Sequence, residues 1–271
     1  MCKIKRAVKQ VLAGMTAISM VITMTGCQKE EKKKEKIKGT VTLAAAASLE
    51  YVFEEKLIPE FEKEYPDVKI EGTYDSSGKL QQQIEAGLPA DIFFSAAETQ
   101  MDALDQEGMI QRNTIVNMLE NKIVLITPVG SDKEFHEFAD IEKADMIAMG
   151  DPESVPAGRY AQEALKKLGI WEEIKGKASF GTNVTEVLNW VAEESADCGI
   201  VYQTDAATTD KVNIVAEAPE DSLKTPVLYP VAMLKEAPNK EAAEKFYKYV
   251  TSDEGAKIFE EYGFSDYRNE R

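Results

Sequence analysis

Short apolar runs alternate with helical stripes along most of this chain. Val41 to Ala46 is a continuous apolar run and reads as a buried strand. Leu49, Val52, Phe53, Leu57 and Phe61 then recur at the spacing of a helix face, with Pro59 expected to kink or break it. Val68, Ile70 and Tyr74 alternate as a strand does, Leu80 and Ile84 mark a short helix, and Asp91 to Phe94 reads as a strand after Gly87-Leu88-Pro89. Lys122 to Thr127 gives another strand. Past Gly150, Ala157, Ala161, Ala164, Leu165 and Leu168 form one helical stripe, and Val184, Val187, Leu188 and Val191 form a second. Gly199 to Tyr202 and Val212 to Ala216 read as strands, and two helices close the chain, from Asn239 to Val250 and from Ser252 to Tyr262. This alternation predicts α/β layers with mostly parallel sheets. From Gly39 to Arg271 there is more chain than one small core needs, enough for two lobes.

Four turns in this pattern share a property. A polar or small residue lies between a strand end and a helix start at Ser48, at Ser76-Ser77-Gly78, at Pro156-Ala157-Gly158 and at Thr182-Asn183-Val184. The third is the most informative. Gly150 to Ala161 ends a strand and opens a helix with proline at its first position, so unpaired backbone N–H groups point forward as an anion site. Asn183 with Glu186 fits a capping box. In open α/β sheets, ligands collect where strand C-termini and helix N-termini meet. Taken singly, each turn reads equally as an ordinary N-cap.

The start of the chain reads as a delivery device. Lys3, Lys5, Arg6 and Lys9 precede an apolar run from Val11 to Met24 and then Thr25-Gly26-Cys27, the layout of a secretion signal over residues 1–26. Cys27 is the expected lipid-modified N-terminus of the mature protein, and residues 27–38, rich in Lys and Glu, form a charged tether. The anchored domain would then stand on the outer face of the cell membrane, or on the periplasmic side of a two-membrane cell. Cys198 is the one thiol left over, so no internal disulfide is expected.

The net charge is −16. Nucleic acid and anionic membrane surfaces need Lys/Arg clusters and are not expected as partners. A small anion remains possible, held by local dipoles rather than drawn in by the global field. Catalytic readings find little support. His136 is the only histidine, no Gly-x-Ser-x-Gly elbow occurs, and neither a P-loop, a dinucleotide fingerprint nor a His/Cys metal cluster is present. No enzymatic activity, no cofactor and no direct metal-ion ligand are therefore expected.

Six ordered motifs carry a resemblance. They are Ala45-Ala46-Ala47-Ser48-Leu49; Ser76-Ser77-Gly78-Lys79-Leu80 with Gln83 to Gly87; Pro89-Ala90-Asp91-Ile92-Phe93-Phe94-Ser95-Ala96; Gly150-Asp151-Pro152 through Val155-Pro156-Ala157-Gly158; Gly199-Ile200-Val201-Tyr202; and the Tyr-Gly-Phe end of the terminal helix, Phe259 to Phe264. In them the chain resembles the molybdate-binding proteins of ABC transporters, within the extracellular solute-binding superfamily. That resemblance implies a two-lobed periplasmic-binding-protein-like clamp with the ligand in the cleft between lobes. One lobe would comprise residues 39–120 and 229–271 and the other residues 121–228, with hinge crossings near Asn121 and Leu228. It implies that Ser48 and Ser77 donate from the first lobe, that Ala157 and Val184 donate backbone N–H groups from the second, and that Tyr202 adds its phenol.

The implied ligand is molybdate or tungstate, delivered to an ABC permease by a monomeric receptor. A tetrahedral dianion offers only acceptors, so every contact should be a donor. Neutral donors fixed at one radius would disfavour sulfate and phosphate, and a protonated phosphate would meet no acceptor. Asp91 and Asp151 are expected to brace turns without touching the ligand, and Lys79 to be a solvated first-turn side chain. The alternatives are a receptor for another oxyanion such as sulfate, or a surface lipoprotein without a transport role.

Overall fold

The computed structural model describes residues 37–268. The signal peptide, Cys27 and nearly all of the tether inferred from the sequence lie outside the described residues. Ile37, at the tether's end, is 6% exposed and packs into the core.

The chain begins one sheet with β1 (Gly39–Ala46), β2 (Val68–Asp75), β3 (Ile92–Phe94) and β4 (Val116–Asn121). It crosses into a second sheet for β5 (Ile123–Pro128), β6 (Ile147–Gly150), β7 (Ala178–Gly181), β8 (Cys198–Tyr202) and β9 (Val212–Glu217). It then returns to the first with β10 (Val227–Met233) and β11 (Ser265–Asp266). Strand order is β11-β4-β10-β3-β1-β2 in one sheet and β7-β6-β8-β5-β9 in the other. β1 pairs in parallel with β2 and β3, and β6 with β7 and β8. The two strands that enter from the opposite lobe, β5 and β10, run antiparallel to their neighbours. The result is a two-lobed α/β architecture, one sheet to each lobe.

Helices cover the sheets: α1 (Glu50–Val52), α2 (Ile58–Glu64), α3 (Ser77–Glu85), α4 (Glu98–Gln106), α5 (Pro156–Leu168), α6 (Trp171–Ile174), α7 (Val184–Ala192), α8 (Gln203–Ala206), α9 (Lys240–Val250) and α10 (Asp253–Glu261). β1 can be this rich in alanine because both its faces are covered. Val41, Leu43 and Ala45 pack into one core, while Ala44 packs with Leu80, Ile84 and Phe93 in another. Phe53 locks the closing helices down, with ring centroids 5.7 Å from Phe259 and 6.2 Å from Phe246.

Pro59 does not break its helix as the sequence suggested. The turn before it, Phe53–Leu57, is π-helical, and Pro59 follows as the second residue of α2, inside a continuous helical run, so the π turn lies where the α-helical hydrogen-bond ladder meets a residue with no N–H. The wider turn absorbs the imino ring, so the helix passes from Glu50 to Glu64 without a gap.

Candidate functional site

Between the lobes the four turns meet. Ser48, Ser77, Ala157, Val184 and Tyr202 line one narrow cleft together with Ala46, Ala47, Asp75, Ser76, Ala96, Val155 and Pro156. The lining residues stand close together and leave little free space between them, room for a small ligand.

Each lining residue reaches the cleft for a local reason. Ser48 lies in the single turn Ala47–Leu49 at the end of β1, is 8% exposed, and its Oγ is 3.0 Å from the Tyr229 hydroxyl. Ser77 is the first residue of α3, capped by Ser76, whose side chain accepts from the Lys79 N–H. Ser77 Oγ accepts the Ala96 N–H at 2.9 Å, so its own hydrogen remains to be donated elsewhere.

In the second lobe the donors are backbone. α5 opens with Pro156 at its first position and no side-chain cap, leaving the Ala157 N–H facing forward. Gly158 makes this possible: a Cβ there would lie 2.0 Å from the Gly150 carbonyl oxygen, so only glycine lets α5 dock on the end of β6. Val184 opens α7, whose cap Asn183 accepts the Glu186 N–H at 2.9 Å. The reciprocal half of the expected capping box is not formed. The Glu186 carboxylate reaches one residue further back and accepts from Thr182 N and Oγ1 at 2.6 and 2.9 Å. Val184 lines the cleft in the first turn of α7, where a backbone N–H has no acceptor within the helix.

Tyr202 ends β8 at 2% exposure, and its buried hydroxyl has no hydrogen-bond partner among the described residues. Burial above all holds this phenol well above its ordinary pKa, so it is a committed donor at neutral pH. A buried, unpartnered O–H aimed at a cleft is costly unless a ligand accepts from it.

Asp75 is the charged residue among those lining the cleft, and it is occupied by the Ser76 N–H at 2.7 Å and by Lys79; the other nearby charges are engaged elsewhere. The Asp91 carboxylate is buried and accepts from Thr42 N and Asn239 N at 2.8 and 2.9 Å, pinning β1 to the start of α9. Asp151 accepts from Glu153 N and Ser154 Oγ within its own turn. Lys79 is tied to Asp75 at 3.4 Å. Arg159 reaches across to Gln100 at 3.3 Å, joining the lobes. A second contact between lobes is the Gly78 N–H donating to the Ser154 carbonyl at 3.1 Å, where a Cβ on residue 78 would lie 2.4 Å from that oxygen. Cys198 is buried in β8, which pushes its thiol up to about 12 and leaves it an inert core residue. His136 is exposed and remote in sequence from every cleft-lining residue.

Three features of the site escape sequence reading: Gly78 as a contact between lobes, and Tyr229 and Asn121 behind Ser48. Tyr229 is fully buried in β10 and accepts from Asn121 Nδ2 at 3.2 Å. β10 has no period-two signal, being buried along its whole length and bulged between Tyr229 and Pro230.

A cleft of neutral donors between two α/β lobes is the anatomy of a solute receptor, and the family profile of the bacterial extracellular solute-binding proteins matches residues 41–265. The chain belongs to this family. Among its relatives is YvgL of Bacillus subtilis (strain 168), named as an inferred ABC transporter substrate-binding lipoprotein. It is 39% identical over 254 residues, which are 94% of this chain and 96% of that protein. The molybdate-binding protein ModA of Escherichia coli (strain K12) is 38% identical over 233 residues, 84% of this chain and 89% of that one. A solved structure from Clostridium difficile, described as the substrate-binding domain of an inferred molybdenum ABC transporter, is 39% identical. It covers 84% of this chain and 98% of its own, with a TM-score of 0.64. Membership in the family makes the chain a solute-binding protein.

Proposed function

We propose that this protein captures molybdate, or the nearly equal-sized tungstate, outside the membrane and delivers it to an ABC importer permease. The observation that carries the reading is the composition of the cleft. Among the residues lining it Asp75 is paired with Lys79, and the other polar groups are neutral: serine hydroxyls, the starts of two helices, and a buried phenol with no partner among the described residues. A tetrahedral dianion accepts from all of them and needs no cation. The names borne by the relatives in Escherichia coli and Clostridium difficile support the same ligand.

In this reading Ser48, Ser77, Ala157, Val184 and Tyr202 are the ligand donors. The lobes comprise residues 39–120 with 229–271, and residues 121–228, and they close about crossings near Asn121 and Leu228. Lipid on Cys27 holds a monomer at the membrane, as the name of the Bacillus subtilis relative supports. The protein performs no catalysis and carries no cofactor.

Titration calorimetry of the purified chain with molybdate tests this. Tight one-to-one binding, displaced by tungstate and not by excess sulfate or phosphate, is the expected result. Displacement by sulfate at comparable concentration would make it a general oxyanion receptor, and no heat with any of the four would overturn the ligand.

A further inference from the structure

A serine hydroxyl can donate to a ligand or accept from it, and its position alone does not say which. Ser77 is committed by the rigid Ala96 N–H that it accepts. Ser48 has no backbone partner of this kind. Among the described residues its hydroxyl bonds with Tyr229, at 3.0 Å, and either oxygen of that pair could donate.

The direction follows from what lies behind Tyr229. The Lys122 N–H donates to Asn121 Oδ1 at 2.8 Å, which fixes the orientation of the amide. Asn121 Nδ2 therefore faces Thr204 Oγ1 at 2.8 Å and Tyr229 Oη at 3.2 Å, and an NH₂ group can only donate. Tyr229 thus accepts from Asn121. Its own hydrogen is fully buried and needs an acceptor, and the oxygen within reach is Ser48 Oγ. Once Ser48 accepts from Tyr229, its hydrogen turns toward the cleft.

We propose that Asn121 and Tyr229 form a one-way hydrogen-bond relay that sets Ser48 as a donor. They are positioning residues for the ligand and, through Ser48, selectors against an oxyanion that carries a proton. The inference rests on the reading of the ligand as a fully deprotonated oxyanion. The relay also links the two sheets at the crossing, since Asn121 ends β4 of the first sheet and Thr204 belongs to α8, which follows β8 of the second. The same bonds that polarise Ser48 therefore form across the crossing point.

A double-mutant cycle on the full chain tests it, with molybdate as the probe and thermal unfolding as the check on folding. Tyr229→Phe keeps the ring and deletes the relay's hydroxyl. It should weaken molybdate binding about tenfold in the wild-type background and have no further effect in Ser48→Ala. Its ratio of molybdate to hydrogen-phosphate affinity should fall, because the freed Ser48 oxygen can then accept. Asn121→Asp is the second variant: a carboxylate draws the Tyr229 hydrogen to itself and turns Ser48 away from the cleft. Its loss in excess of any simple charge repulsion should likewise vanish in Ser48→Ala. Wild-type affinity in Tyr229→Phe, or losses that multiply in the double mutants, would overturn the relay while leaving the ligand standing. Failure of the wild-type chain to bind molybdate would overturn the ligand reading, and the relay's role with it.

Discussion

The two lobes face the same small cleft with different chemistry. The first lobe contributes hydroxyls, Ser48 and Ser77, whose donor direction has to be set by something else: an N–H from Ala96 in one case, a tyrosine and an asparagine in the other. The second lobe presents the starts of α5 and α7, and in the proposed reading its donors are mainly N–H groups whose direction is set by helix geometry itself. A hydroxyl is deleted by one substitution. A backbone N–H survives most substitutions and is lost only by moving the helix that carries it. Fragility in the first lobe should therefore lie at the donor, and in the second at whatever holds the helix in place.

Gly158→Ala should give the largest effect. Its Cβ would collide with the Gly150 carbonyl at 2.0 Å, so α5 must retreat and take the Ala157 N–H with it. Overpacking against backbone should cost about 3 kcal/mol or more and weaken molybdate binding on the order of a hundredfold, read together by thermal unfolding and calorimetry. Gly78→Ala separates the lobes without damaging either. A Cβ 2.4 Å from the Ser154 oxygen opposes closure, and the expected loss is about 1–3 kcal/mol in binding with unfolding little changed. Small-angle scattering should show the variant more open than the wild type with ligand present.

Ser77→Ala comes next, at about 1–3 kcal/mol in binding, because it deletes a donor and also strands the buried Ala96 N–H. Equal affinity in this variant would remove the first lobe from the comparison.

The smallest effect concerns Tyr202, the side-chain donor of the second lobe. Its backbone N–H is accepted by Asp205, a fully buried carboxyl that burial raises to about 7. Since the native state holds this proton more tightly than the unfolded chain, stability from this group is lost as pH rises from about 4 to about 7. Asp140 acts in the opposite sense. The nearby Lys143, then the His136 N–H, lower it to about 2, so its contribution is lost as pH falls toward that value. Asp205→Asn keeps an acceptor for Tyr202 and should flatten the unfolding temperature between pH 5 and pH 8. An unchanged pH profile would show that Asp205 does not titrate in that range.

Much of this arrangement is written locally. Proline at the start of α5, serine and asparagine caps at α3 and α7, and glycine beside each turn are short-range signals, and the structure gathers the residues they flag around one cleft. What escapes is set at long range. Tyr229 is 181 positions from Ser48 and 108 from Asn121, so no window of sequence contains the relay. Gly78 reads as an ordinary helix-start glycine until Ser154 is seen opposite it. At Pro59 the sequence offers a kink or a break, and the outcome, a π turn at Phe53–Leu57 with the helix continuing through it, is one that no local signal announces.

The narrowness of the cleft has a consequence of its own. With so little free space between the lining residues, an entering ion should shed water before the cleft closes on it. Dehydration is costlier for a dianion whose charge is concentrated in a smaller ion, and the site returns the same set of neutral donors to every candidate. Competing oxyanions are then ranked by how readily they dry, as well as by how well they fit. Solutes that alter the activity of water should shift all their affinities together, and most steeply for the smallest ion.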